Sequence, residues 1–240
     1  MKAMRRIKQF TLLGGIILVA LGMIGCSSST EPEGSGEITQ PEEVNLREEV
    51  PDSLQENSPE AYSGVLSVES HMNLGQNMYS SIYQQRQSSN STVTYGNLTI
   101  EYEAEPESRD GKNGTLWSAT YDGTIVTDDT TITFDSEEIF SGWTADDGSA
   151  GEFTWDWGAY ARASGSSEGQ NNFYHVVWST DDNGTLTATS TIQGDDNKFE
   201  YTVIIHENGS GSYEYALIDE NGDVTQSNYV EWDAEGKVVS

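Results

Sequence analysis

The sequence predicts a mainly β (α+β) fold: an antiparallel up-and-down β-meander, or barrel-like curved sheet, packed around one N-terminal helix. Three observations carry this. Apolar or small residues recur at Ala61, Val65, Val68, Met72, Gly75, Tyr79 and Ile82, an alternation of four and three that marks one face of a helix. After Ser91 the period becomes two: Leu98, Ile100, Tyr102 and Ala104 alternate with Asn97, Thr99, Glu101 and Glu103, as in strands with one face on a core and one in water. Turn chemistry at short, regular spacing separates the alternating runs, so neighbours in chain order pair antiparallel. About ten such strands would curl, and the helix is the natural object to wrap.

The chain opens with Lys2, Arg5, Arg6 and Lys8 and no acid, then an apolar run over residues 10–24 broken only by Thr11 and glycines. A basic start and a short apolar stretch have the layout of a secretory signal. The run is shorter than the ~20 residues that span a bilayer. Met23-Ile24-Gly25-Cys26 follows and resembles the bacterial lipobox, with Met23 where that pattern prefers Leu. The resemblance implies a signal peptide over residues 1–25, a diacylglycerol thioether on Cys26, cleavage before it and an acylated amine. Several acyl chains make a membrane attachment effectively permanent, where one binds reversibly. By the same resemblance, Ser27 in place of Asp implies transfer to the outer membrane. Cys26 is the only cysteine, so no disulfide is expected and the domain must be held by its core.

Residues 26–57 are rich in Ser, Glu, Pro and Gly, with Pro32, Pro41 and Pro51 spread among them. That composition predicts a disordered acidic tether. Ser58-Pro59-Glu60 has the form of an N-cap with Pro at the first helical position. A helix is expected over residues 59–86, within a single domain spanning 58–240. Gly64 and Gly75 each cost it about 1 kcal/mol against Ala.

Beyond the helix, Phe153, Trp155 and Trp157 alternate with Glu152, Thr154 and Asp156, and Phe199, Tyr201, Val203 and Ile205 alternate likewise. Further strands are expected over 115–121, 131–134, 138–143, 173–179, 185–192, 211–218 and 224–232. Asn113-Gly114, Asn183-Gly184, Asn208-Gly209 and Asn221-Gly222 fall between runs, and Asn-Gly suits the positive φ of a type I′ hairpin turn. The helix-then-strand order, Asn183-Gly184-Thr185-Leu186, Gly209-Ser210-Gly211-Ser212-Tyr213 and Glu231-Trp232-Asp233 resemble uncharacterised bacterial envelope lipoproteins with a tether, one helix and a Trp/Tyr-rich meander. More loosely, the layout is similar to the periplasmic lipoprotein-carrier fold, an open half-barrel that shields acyl chains.

There are 40 acidic and 11 basic residues, a net charge of −29. Removing the leader leaves 40 against 7, near −33. Nucleic acid and anionic head groups are therefore poor partners. Many of the acids fall in turns and on polar strand faces, which suits a solvated shell; the functional alternative is a site for a cation or polycation.

Four patterns in the sequence bear on chemistry. Gly165-Ser166-Ser167-Glu168-Gly169 fits the spacing of a hydrolase nucleophile elbow, but that elbow needs a strand-to-helix turn in an α/β sheet. His71, His175 and His206 lack metal-ligand spacing, and His175, alternating with Phe173 and Val177, is expected to point inward as a hydrogen-bonded core residue. Asp219, Asn221 and Asp223 begin an EF-hand-like spacing that fails at Val224 and Val230. No catalytic residue, metal site or cofactor is expected. The aromatic residues Trp143, Phe153, Trp155, Trp157, Trp178 and Trp232 either fill the core, line an apolar cavity, or form a strip for sugar rings. The expected function is a lipid-anchored, non-enzymatic envelope protein, held to the membrane through Cys26, that binds an apolar or lipid-like ligand or an envelope protein. The alternatives are a carbohydrate-binding or adhesion module and, most weakly, a hydrolase.

Overall fold

The computed structural model describes residues 44–87, 92–126 and 131–240, all within the compact unit Gly34–Ser240. The expected signal peptide, Cys26 and the first part of the expected tether lie outside the described residues.

Two short helices, α1 (Leu46–Glu49) and α2 (Leu54–Asn57), lead into the long helix α3 (Pro59–Gln87). Ten strands follow: β1 (Thr92–Tyr95), β2 (Asn97–Arg109), β3 (Lys112–Val126), β4 (Thr131–Ala145), β5 (Ala150–Trp155), β6 (Phe173–Thr180), β7 (Leu186–Gln193), β8 (Asn197–Ile205), β9 (Gly211–Asp219) and β10 (Val224–Trp232). A fourth helix, α4 (Gly158–Ala163), sits between β5 and β6. The strands form one open sheet in chain order, each antiparallel to the next, so the meander is as expected and leaves β1 and β10 as edges. Three of the four expected Asn-Gly turns form: Gly184, Gly209 and Gly222 have positive φ, and Asp181 and Asp219 accept two backbone N–H bonds each across their turns. Asn113-Gly114 instead lies within β3, and the turn before it is Asp110-Gly111, with φ of 50° and 81°.

Helix α3 crosses the sheet's inner face. Gly64 meets Tyr213 of β9, His71 meets Tyr201, Ser190 and Tyr174 of β8, β7 and β6, Gly75 meets Phe153 of β5, and Tyr79 stacks on Trp117 of β3. From Gly64 to Tyr79 the helix rises about 22 Å. The six strand spacings it crosses would measure about 29 Å laid flat. Curl of the sheet toward the helix makes up the difference. Ala61, Val65, Val68, Met72, Tyr79 and Ile82 are all buried, so the predicted stripe is the packed one. The helix does not break at its glycines. Both stand where a side chain has no room: a Cβ on Gly75 would lie 2.8 Å from Phe153 Cβ, and one on Gly64 would overlap the Tyr213 ring.

Three expectations are corrected. The domain does not begin at Ser58, because Leu46, Val50 and Leu54 are buried; residues 44–57 form a strap across α3. The polar stripe of α3 holds it. Glu69 accepts from Arg47 N and Arg47 Nη2, both at 2.9 Å, Val44 N donates to Gln76 Oε1 at 3.1 Å, and Asn73 Nδ2 donates to Val44 O at 3.0 Å. At its far end Asn57 Nδ2 donates to Gly236 O at 2.9 Å. Polar composition hid three apolar anchors. Next, the two strands expected over 131–134 and 138–143 are one, β4, carried past a bulge beside Ser136, whose φ is 53°. Finally, β5 stops at Trp155, so Trp157 does not share its face but caps the start of α4.

Candidate functional site

Four of the six tryptophans are explained by glycines. Trp117, Trp178 and Trp232 face the interior directly opposite Gly142, Gly151 and Gly211 on the neighbouring strand. Each indole lies on the backbone that its glycine leaves bare; a Cβ on Gly211 would fall 2.7 Å from the Trp232 ring. Trp143 does the same on the outer face with Gly114, again at 2.7 Å. A strand glycine weakens a sheet unless something packs in the space it leaves. Each N–H is also satisfied: Trp117 by Thr144 Oγ1 at 3.2 Å, Trp143 by Glu107 O at 3.1 Å, Trp178 by Gly148 O at 3.1 Å, Trp232 by Gly209 O at 2.9 Å. Phe153 is fully buried, stacked between Trp117 and Phe140. Trp155 stacks on Phe140 and meets Trp157 edge to face. The six candidate aromatics therefore do not gather at one site. They pack, on two faces of the sheet, between α3, α4 and the hairpin turns.

The titratable groups are spread in the same way. His71 Nδ1 lies 2.9 Å from Ser190 Oγ, the spacing of a base and a nucleophile. Ser190, however, is fully buried beneath α3, and burial lowers His71 to about 4, so the ring is neutral and acts as a core hydrogen-bond partner. His175 pairs with Thr154 at 2.9 Å on the outer face, not inward as its alternation suggested, because β6 buries Tyr174, Val176 and Trp178 instead. His206 approaches Thr185 at 3.3 Å. Ser166 Oγ donates to Glu168 O in an exposed turn after α4. Among the described residues no group of three or more His, Cys, Asp or Glu side chains is placed to hold a metal ion.

Burial also raises the phenols packed around α3 and α4. Tyr79, Tyr102 and Tyr160 are pushed up to about 12, and Tyr121 and Tyr174 are raised well above the usual phenol range, all chiefly by desolvation. They serve as core polar groups.

Two concave sites stand out. A cleft of about 270 Å³ lies where α1 passes the hairpin ends, lined by Val44, Glu49, Trp178, Leu186, Ile205 and His206 among others. A hollow of about 120 Å³ lies on the outer face between Leu116, Ser141, Glu152, Thr154 and His175. Both are open to solvent and smaller than the ~300–1,000 Å³ of drug-sized ligand sites.

The half-exposed aromatics are elsewhere. On the inner face beyond α3, Tyr201 and Tyr215 lie side by side with ring centroids 6.4 Å apart. Phe199 beside them is 38% exposed. This corner adjoins β10. Their alternation was legible, but not that α3, which reaches this corner where His71 meets Tyr201, would leave it half-exposed. Compared with known proteins, the chain matches no family model, no curated protein and no solved structure.

Proposed function

We propose that this chain is a cell-envelope lipoprotein, anchored through Cys26, whose acidic β-domain works by binding at its surface and not by catalysis. The observation that carries the anchor is Met23-Ile24-Gly25-Cys26 behind a basic and apolar leader. Support for the rest comes from the packing. The space between α3 and the sheet, where a carrier would hold an acyl chain, is filled by Phe153, Trp117, Tyr79 and Met72. Of the candidate sugar-stacking tryptophans Trp143, Trp178 and Trp232 are buried and Trp155 and Trp157 are half-buried against each other, and the histidines are apart. Among the described residues no helix is long and apolar enough to cross a membrane, so membrane attachment of this reading rests on the lipid. Outer-membrane placement follows from Ser27 by the same resemblance.

The test is Cys26→Ala in a Gram-negative host, with metabolic labelling by an alkynyl fatty acid and a carbonate wash of membranes. The parent should carry label and stay in the pellet. The variant should lose both. A variant that still pellets sinks the anchor.

A further inference from the structure

We infer that the free edge of β10 is a docking site for an extended cationic peptide segment, which adds to the sheet as a further antiparallel strand. The inference does not depend on the anchor at Cys26.

The two edges of the open sheet are built differently. On the β1 side the edge strand β1 is uncharged Thr-Val-Thr-Tyr but only four residues long, paired with Leu98–Glu101 of β2, and the longer remainder of that edge, in β2, carries Glu103, Glu105 and Glu107 on its outer face and Pro106 in its backbone. Charge repels an incoming strand, and proline cannot donate to one. Strand β10 has no such protection. From Val224 to Val230 it reads Val-Thr-Gln-Ser-Asn-Tyr-Val, without charge, proline or glycine. Val224 is 59% and Tyr229 49% exposed. An uncharged run with Val, Thr and Tyr at its ends and an open edge together are features that recruit another strand.

The edge is already in use at one end. After the turn at Asp233–Gly236 the chain comes back along β10, where Glu231 N donates to Ser240 O at 3.0 Å and Val239 N donates to Glu231 O at 2.9 Å. The outward backbone groups of β10 are therefore in pairing geometry. The period of two places the N–H and C=O of Tyr229 and Ser227 on the same outward edge as Glu231. Among the described residues nothing pairs with them.

The surroundings specify the occupant. Tyr229 shares the outer face with Glu214 and Glu231, and the turn before β10 carries Asp219, Glu220 and Asp223. A second copy would bring the same acids to the same edge on a chain of net charge −29; a cationic segment relieves them. On the inner face, Gln226 and Asn228 adjoin the half-exposed Leu217, Tyr215 and Phe199 corner. An added strand would thus alternate: Lys or Arg toward the outer face, apolar or aromatic residues toward the inner one.

The test uses the full chain and three labelled heptapeptides: alternating Lys and Val, alternating Glu and Val, and the Lys-Val peptide with a central Pro. Fluorescence anisotropy at low and high salt should show binding of the first alone, weakened by salt. Ser227→Pro removes one outward N–H without changing charge. Losing that bond and its neighbour should weaken the Lys-Val peptide about tenfold. Tyr229→Lys, at an exposed position, should weaken it as well with the fold intact by circular dichroism. Equal affinity for the Pro-containing peptide, or Tyr229→Lys binding as the parent does, overturns the proposal by reducing the binding to charge alone or removing it from this edge. Sedimentation showing a dimer that Tyr229→Lys or Ser227→Pro dissolves overturns it in favour of a second copy.

Discussion

Replacing Gly75 by Ala sets two known effects against each other. In an exposed helix interior the change stabilises by about 1 kcal/mol, because Gly gives up more backbone freedom on folding. Here the added methyl would stand 2.8 Å from Phe153 Cβ and 2.9 Å from its Cγ. Phe153 cannot step aside: it is fully buried, its ring lies between Trp117 and Phe140 at 5.8 and 6.3 Å, and its Cβ is fixed to a central strand. Overpacking of this kind costs about 1–3 kcal/mol. The clash should outweigh the propensity gain, leaving Gly75→Ala less stable by about 1 kcal/mol, a fall in Tm of about 2–4 °C for a domain of this size. A Cβ on Gly64 would overlap the Tyr213 ring, which is also buried, so Gly64→Ala should likewise destabilise. Paired thermal and urea melts measure both. If Gly75→Ala melts above the parent, the helix does not pack against β5 as closely as described, and the account of its glycines is wrong.

Three further outcomes are expected. Leu54→Ala, in the strap that composition assigned to a tether, should destabilise by about 3 kcal/mol in urea melts, since Leu54 is fully buried; a neutral result would return residues 44–57 to the tether. His71 is held near 4 when folded against 6.5 when unfolded, so its contribution is complete above about pH 6.5 and is lost as pH falls toward 4, because the unfolded chain takes up the proton first. That loss is about 2 kcal/mol once the ring's partial exposure is allowed for, and His71→Asn should flatten the pH profile of stability over that window. With 40 acids against 11 basic residues, Tm should rise between about 0.01 M and 1 M sodium chloride as the Debye length contracts from about 30 to 3 Å; a flat response would mean that the acids are locally compensated.

The meander was legible because alternation and turn chemistry are local. Asn183-Gly184 needs only its own φ to make a hairpin, and Phe199 to Ile205 alternate whatever lies opposite. What failed was decided by partners distant in sequence. The strap looked like a tether because Leu46, Val50 and Leu54 are three apolar residues among acids and prolines, and their burial depends on Glu69, Asn73 and Gln76, which a helical wheel reads as a solvent face. The short helix α4 has no periodicity of its own; it is held by Arg162, which bonds Asp156 at 2.7 Å and Glu137 at 3.0 Å, and by Tyr160 packed on Phe134.

The aromatic candidates pack as the first of their three readings had them, and what the sequence withheld was where each ring would fit. Tryptophan is informative about function only when nothing in the chain has a place for it, and here glycines on adjacent strands do. A lone Gly142, Gly151 or Gly211 weakens a strand, and Trp178 and Trp232 stand among the candidate binding aromatics while Trp117 does not. Register alone joins them, and register is not written in either residue. The same holds for the edge of β10. Its neutral run from Val224 to Val230 looks like any other strand until the sheet is seen to stay open. Had the meander closed on itself, β10 would have paired with β1, and the acids and proline of β2 would have had no edge to guard. Protection on one side and its absence on the other acquire meaning together, which is why the proposed docking surface is the side left bare.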